Sequence, residues 1–274
     1  MNSPIPIEHE IKITPTASVQ VKLLSSLRTQ NIDEVIKTLK GALGIGAFTV
    51  SAENIKNTTD DYYDTQDLAL YSTHSLLRVR REGGLPIVTV KTLLGQSQGE
   101  LKRTESETSI TEDDLQSLVA AGFASILVEQ LPDLRSKKVH YVLRVVKERR
   151  NYLMERSGER YRLSLDLFFF TDPKSGRTTD QEFEVEIESL NDEASLKLRT
   201  IKHNLLDVLK GFGFSIGSKY ERGVRAFHID GPPWKQALSK WNSGLGLNWI
   251  GIVLSIIGVV LSAIGIWLTI RPTG

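Results

Sequence analysis

Apolar and polar residues alternate in short segments through most of the chain. Ile7, His9, Ile11 and Ile13 fall on one side of a strand predicted over residues 5–13, and Glu8, Glu10 and Lys12 fall on the other. Successive side chains of a strand point to opposite faces, so each set acts as a unit. Comparable runs occupy 48–56, 75–82, 86–94, 100–110, 139–154, 160–170 and 181–189, bounded by turn residues such as Gly83-Gly84 and Ser157-Gly158. The polar stretch Asp60–Tyr71 reads as a turn region leading into the third strand. Residues 21–40 read as helical; Thr111-Glu112-Asp113-Asp114 caps a helix to Ala121, and Asn191-Asp192-Glu193 caps another to about Lys210. About eight strands, mostly in consecutive hairpins, predict an α+β fold built on a closed antiparallel barrel or a strongly curved sheet.

The polar positions on these strands are ordered. Arg78 and Arg80 share a face, as do Arg103, Glu105 and Glu107, and again Arg162, Ser164 and Asp166. Glu182, Glu184, Glu186 and Glu188 form the longest row, backed by Phe183, Val185 and Ile187. Carboxylates at alternate positions repel one another, so this row is either a solvated outer face or the seat of a divalent cation. Hard ions such as Mg²⁺ or Mn²⁺ prefer carboxylate and water oxygens, and Glu8 with Glu10 offers a second pair of that kind. Lys12, Arg78, Arg80, Lys91, Arg103, Arg149 and Lys219 also fall at strand positions. Arginine presents a planar fork to phosphate oxygens and lysine a point charge. An inorganic or nucleoside polyphosphate carried with its metal matches that combination.

Composition removes several alternatives. The chain has 274 residues, 40% hydrophobic and 24% charged, as in ordinary globular proteins. A formal net charge of +1 sets up no global field for nucleic acid, and no such partner is expected. With no cysteine there are no disulfides, thiolate metal sites or cysteine nucleophiles. The 5 histidines are scattered, against a His-based zinc site. The N-terminal MNSPIPIEHE lacks a basic region followed by an apolar run and does not read as a secretory signal.

Taken in order, these motifs resemble the CYTH domain, the triphosphate tunnel metalloenzymes. Glu8-x-Glu10-x-Lys12 resembles the ExExK signature. Tyr63-Asp64-Thr65, with Leu68, Leu70 and Ser75-Leu76-Leu77-Arg78-Val79-Arg80, resembles the family's YYDT…L…LRxR stretch. Thr89-Val90-Lys91-Thr92 resembles its TxK strand, Arg103-Thr104-Glu105 its RxE strand, Asp166 its strand-ending aspartate, and Phe183–Glu188 its late acidic strand. Ser218-Lys219-Tyr220-Glu221-Arg222 resembles the closing SKxxR, so the likeness spans residues 5–226.

The resemblance implies an eight-stranded antiparallel β-barrel, a tunnel with charges lining its bore, flanked by helices. It also implies metal-dependent chemistry on a triphosphate. Glu8, Glu10, Glu186 and Glu188 would hold Mg²⁺ or Mn²⁺. Lys12, Arg78, Arg80, Lys91, Arg103, Arg149 and Lys219 would grip the phosphates. Lys12, Arg149 and Asp166 would carry the chemistry, Asp166 by holding a neighbouring base or water. The register leaves Arg150 beside Arg149, and Glu184 beside Glu188, as alternates. The implied reaction is hydrolysis of the terminal phosphate of inorganic tripolyphosphate or a related triphosphate. One alternative is a class IV-type adenylyl cyclase, which needs a base site; Tyr62, Tyr63 and Tyr152 could stack on a base, though they suit a core equally. Another is a non-catalytic polyphosphate-binding module held at a membrane, which would not need both carboxylate pairs.

The expected organisation is a tunnel domain at 1–230, a linker at 231–244 and a transmembrane helix at 245–270. From Leu245 to Ile270 there is no charged residue, and the segment exceeds the ~20 residues that span a bilayer as a helix. Trp249 and Trp267 sit near its ends, where interfacial aromatics belong. With no N-terminal signal and a span at the far end, the catalytic domain is expected in the cytoplasm, anchored by a single C-terminal pass; Lys235 and Lys240 on the domain side agree with the positive-inside tendency, and Arg271 on the far side counts against it. Gly244, Asn248, Gly251, Ser255, Gly258, Ser262, Gly265 and Thr269 are spaced alternately by four and three, a heptad seam of small or polar residues suited to homodimerisation in lipid. Gly258→Leu is therefore expected to convert the detergent-solubilised dimer to monomer, as measured by light scattering on a sizing column; an unchanged mass makes the seam incidental.

Overall fold

The computed structural model describes residues 7–15, 49–97, 100–121, 137–208, 212–215, 217–227 and Ile229. By packing, the chain divides into units Met1–Phe227 and His228–Gly274. The helix expected at 21–40, the linker at 231–244 and the apolar tail at 245–270 lie outside the described residues. Among the described residues no helix is long and apolar enough to cross a membrane.

Strands β1 (Ile7–Pro15), β2 (Thr49–Thr65), β3 (Leu76–Arg81), β4 (Ile87–Ser97), β5 (Glu100–Ser109), β6 (Val139–Arg156), β7 (Glu159–Thr171) and β8 (Glu182–Ser189) are ordered β5-β4-β3-β2-β6-β7-β8-β1. Glu8 of β1 pairs back onto Arg103 of β5, so eight antiparallel strands close into a barrel with no free sheet edge between them. A ninth strand, β9 (Phe212–Phe214), pairs antiparallel with Ile13–Pro15 at the end of β1. The helices are α1 (Ala69–Ser72), α2 (Glu112–Ala121), α3 (Asp192–Val208) and α4 (Lys219–Ala226). The expected caps form: Asp114 N–H donates to Thr111 Oγ1 (3.1 Å), and Ala194 N–H donates to Asn191 Oδ1 (3.1 Å).

Two expectations are corrected. Asp60–Thr65 is strand, not turn: Asp60–Tyr63 pair with β3 and Asp60–Thr65 with β6. Aspartate is a poor strand former, but here cations on neighbouring strands satisfy it, Arg80 meeting Asp60 and Arg144 meeting Asp61, each at 2.7 Å. Lys219 is not on a strand. It is the first residue of α4, whose N-cap Ser218 forms a capping box with Glu221.

The barrel is inverted relative to a hydrophobic core. Its apolar faces point outward and helices cover them. Ile11, Ile13, Leu163, Leu165, Val185 and Ile187 pack beneath Ala194, Leu198 and Ile201 of α3, which recur every three or four residues on one side of that helix. On another flank, Leu77, Val79, Val88 and Val90 pack with Leu70 of α1 and Leu115 of α2. Each fully buried side chain of this size contributes about 1.5–3 kcal/mol.

One end of the interior is also apolar. Leu143, Val145, Phe168 and Phe170 are fully buried and share strand faces with Lys147, Arg149 and Asp166. α4 seals this floor with Tyr220 and Val224, both fully buried. The fit requires Gly223, where an added Cβ would collide with Leu143 and lie 2.8 Å from Phe170. Gly223→Ala is expected to cost about 1–3 kcal/mol by overpacking, read as a lower urea midpoint. Gly84→Ala, where a Cβ meets nothing within 4 Å, leaves the midpoint unchanged.

Candidate functional site

The barrel encloses a cavity of about 180 Å³. β1 contributes Glu8, Glu10 and Lys12; β3 contributes Arg78 and Arg80; Lys91, Arg103, Arg149, Glu186, Glu188 and Lys219 come from β4, β5, β6, β8 and α4. The geometry thus brings together every site residue expected from the sequence except Asp166. That aspartate is fully buried one layer back, where Arg149 Nε and Nη2 each donate to it at 2.6 Å and Lys219 lies 2.8 Å away. Both open registers resolve geometrically. Arg149 lines the cavity, whereas Arg150 pairs with Glu148 at 2.9 Å. Glu188 lines it too, whereas Glu184 is fully buried behind, held by Lys219 and Arg222.

The lining is a lattice of ion pairs. Lys12 Nζ lies 2.6 Å from Glu186 and 3.0 Å from Glu10; Arg103 reaches Glu10 at 3.2 Å, and Lys91 reaches Glu8 at 2.7 Å and Glu105 at 2.9 Å. Burial opposes charge on Lys12, Lys91 and Lys219, but the adjoining carboxylates win and raise all three above the usual lysine range. Burial likewise opposes charge on Glu186, yet Arg149, Lys12 and Lys219 hold it well below the usual carboxylate range. Arg78 Nε and Arg103 Nε are buried without a hydrogen-bond partner among the described residues. Two unfilled guanidinium donors on one cavity wall suit an anionic ligand.

Sequence reasoning missed Asp60 and Lys147, and left Glu105, Glu107, Arg162 and Ser164 unassigned although it placed them in same-face rows; all six line the cavity. Lys147 lies two residues before Arg149, so strand alternation could have found it. Asp60 was hidden by its reading as a turn. Burial and the Arg149 guanidinium hold the Lys147 ammonium well below its usual range, with Asp60 opposing. Of the three tyrosines weighed as base platforms, Tyr62 stacks on Tyr220 (5.4 Å, 13°), Tyr63 packs on Tyr141 outside the barrel, and Tyr152 packs against the outer core. Tyr63 and Tyr152 are thus turned away from the cavity, whereas Tyr62 also lines it.

Two acidic groups could receive a cation. Asp166, Glu184 and Glu186 bring oxygens within 4.8 Å of one another, but Arg149, Lys219 and Arg222 already hold them. Glu8, Glu10 and Glu188 lie on the paired strands β1 and β8, with Glu10 directly opposite Glu188. Burial and the negative charge of Glu8 push the Glu188 carboxyl up to about 7, Arg162 and Lys91 opposing and Glu10 adding to the rise. A hard divalent cation would relieve that repulsion, so the chemistry of Glu8, Glu10 and Glu188, with Glu186 adjoining, suits a magnesium- or manganese-type ion, although among the described residues only the Asp166 group gathers its oxygens within 4.8 Å.

The family model for the CYTH domain matches residues 8–224. The chain belongs to the CYTH family. The solved structures similar to this CYTH protein include HpAC1 from Hippeastrum, described as an adenylyl cyclase candidate with a dominant triphosphatase activity. It is 17% identical, with a TM-score of 0.46, covering 82% of this chain and 97% of that one. An adenylate cyclase candidate from Bacillus halodurans is 19% identical, with a TM-score of 0.45 and coverage of 79% and 97%. A protein of Pyrococcus horikoshii is 21% identical, with a TM-score of 0.44 and coverage of 79% and 99%. No curated protein matched the chain in the sequence comparison.

The lattice is expected to make this CYTH protein acid-sensitive. Asp60 is fully buried; burial alone would raise its carboxyl, but Lys147, Arg78 and Arg80 hold it well below the ordinary value of 3.8. A carboxyl depressed by folding adds stability above its unfolded pKa, and that contribution disappears as pH falls toward the folded value. Asp60→Asn is expected to cost about 3–5 kcal/mol at neutral pH. The gap to wild type should close progressively below about pH 4 in urea midpoints taken across the acid range.

Proposed function

We propose that this CYTH protein is a metal-dependent triphosphatase that releases the terminal phosphate of inorganic tripolyphosphate or a closely related triphosphate. The observation that carries the reading is the convergence of Lys12, Arg78, Arg80, Lys91, Arg103, Arg149 and Lys219 on one cavity that also presents Glu8, Glu10, Glu186 and Glu188. A non-catalytic polyphosphate module would need the cations but not both carboxylate pairs. A cyclase would need a base platform; Tyr63 and Tyr152 pack outside the barrel, and Tyr62, which does line the cavity, is stacked on Tyr220.

A Mg²⁺ or Mn²⁺ held by Glu8, Glu10, Glu186 and Glu188 would neutralise charge on the phosphate oxygens. The arginines and lysines fix the phosphate chain in line and stabilise the charge that spreads over the terminal phosphoryl group. Asp166 positions two of them, since Arg149 and Lys219 both bind it at under 3 Å. Water attacks the terminal phosphorus, its P–O bond forms as the bridging P–O bond breaks, and diphosphate and phosphate leave. The apolar segment 245–270 anchors the domain, residues 1–230, in a membrane through the linker 231–244. The domain faces the cytoplasm and two chains pair through the glycine–serine seam. The uncharged stretch of sequence supports this arrangement.

Lys12→Ala and Glu10→Ala are each expected to reduce phosphate release from tripolyphosphate with Mn²⁺ or Mg²⁺ by a factor of about 10²–10³ or more, with an unchanged far-UV circular dichroism spectrum. Wild-type turnover by either variant refutes the assignment. A substrate panel of tripolyphosphate, ATP and thiamine triphosphate, with cyclic AMP monitored, separates hydrolase from cyclase.

A further inference from the structure

We propose that His74, a surface histidine outside the bore, is a positioning residue for it: through Glu221 it holds the corner that delivers Ser218 and Lys219, and holds it more firmly when protonated. The inference rests on the triphosphatase reading for its probe and adds how the grip of that site varies with pH. His74 lies between α1 and β3 with φ 54°, a left-handed backbone uncommon for a residue with a side chain. Such a conformation persists where its surroundings hold it. His74 Nδ1 is 2.6 Å from Glu221 Oε1. Glu221 Oε2 accepts from Ser218 N–H and from Ser218 Oγ, the latter at 3.0 Å. Gly217, with φ 91°, leads into the same corner, and a Cβ there would lie 2.7 Å from Glu221 Oε2. Ser218 and Lys219 then face the cavity.

Burial would raise the Glu221 carboxyl, but hydrogen bonds from His74 and Ser218, with the charge of Arg103, hold it below the usual carboxylate range. It is therefore an anion across the neutral range, and the imidazole must carry a proton on Nδ1 to donate to it. An imidazole ordinarily gains its second proton near pH 6.5, and the bond is then charged on both sides and stronger. The other charged groups around this carboxylate are Arg103 of β5 and Arg225 of α4, cationic throughout. The titratable neighbours on α1 and α4 are the hydroxyls of Tyr71 and Tyr220, and burial pushes the latter up. His74 is thus the group whose charge changes. A firmer corner keeps Lys219 Nζ beside Asp166 and Glu186, at 2.8 and 2.7 Å, pre-organised for a polyanion. The coupling is reciprocal, so binding of the polyanion favours protonation of His74.

The test measures tripolyphosphate binding to the full-length chain in detergent and EDTA by calorimetry. His74→Asn keeps a neutral donor near the place of Nδ1 and tolerates the left-handed backbone, so it mimics the unprotonated state. Wild type is expected to bind about threefold more tightly than His74→Asn at about pH 5.5 and equally at about pH 8.5. The Glu188 carboxyl, pushed up to about 7, is common to both proteins and cancels in the ratio. His74→Gly removes the donor and relieves the backbone, and should bind less tightly than His74→Asn at both pH values. A ratio of wild type to His74→Asn that is constant with pH, or His74→Gly equal to His74→Asn, overturns the proposal. A second measurement needs no glycine variant. Near pH 6.5, binding should take up more protons in wild type than in His74→Asn, as read in two buffers of different ionisation enthalpy. Equal uptake also overturns the proposal. The triphosphatase reading fails separately, if wild type binds tripolyphosphate but releases no phosphate from it with Mn²⁺.

Discussion

Charge inside this barrel is tolerable only because it is compensated at contact distance. Removing an ion from water costs several kcal/mol even after relaxation, and the attraction of a partner returns that cost only when geometry and remaining hydrogen bonds are good. Here the geometry is good. Arg149 grips Asp166 through two hydrogen bonds of 2.6 Å, and Arg80 grips Asp60 through bonds of 2.7 and 3.1 Å. Asp166 and Asp60 are fully buried, so neither could remain ionised without cations at contact distance, Lys219 adding to Arg149 at the first and Lys147 and Arg78 adding to Arg80 at the second. Every functional suggestion for the cavity depends on this lattice holding the lining in place.

The lattice in turn depends on strand periodicity. Along β1, β7 and β8 the same alternation sends Ile11, Leu165 and Ile187 outward under α3 and sends Lys12, Ser164 and Glu186 inward. A slip of one residue in any strand would expose the outer apolar face and drive aliphatic side chains into the bore. Stability and binding are therefore opposite faces of one pattern. Apart from the floor under α4, the hydrophobic contribution lies outside the barrel, where α1, α2 and α3 cover it.

Much of this was legible in sequence because it is periodic. The strand rows, the helix caps at Thr111 and Asn191, and much of the cavity lining follow from alternation, cap chemistry and motif order. The extent of β2 was not legible, since Asp60, Asp61 and Asp64 carry turn-like composition and are held in a strand only by partners on β3, β6 and α4, such as Arg80, Arg144 and Tyr220. Lys219 was misplaced because it reaches the cavity from a helix end, where strand parity says nothing. The choice between Arg149 and Arg150 depends on which face of β6 turns inward, a tertiary fact that Asp166 on β7 fixes.

The apolar floor beneath α4 is also crossed by charge. Leu143, Phe168, Phe170 and Tyr220 are fully buried there, yet Lys219 and Arg222 both lie over the Phe168 ring, and Glu184 joins Lys219 to Arg222, which in turn meets the partly exposed Glu182. Charge at the inner end of the bore is therefore continuous with charge at the surface, through a relay of ion pairs that runs along the aromatic floor. A ligand that drew on Lys219 would be felt by Arg222 on the far side of that floor.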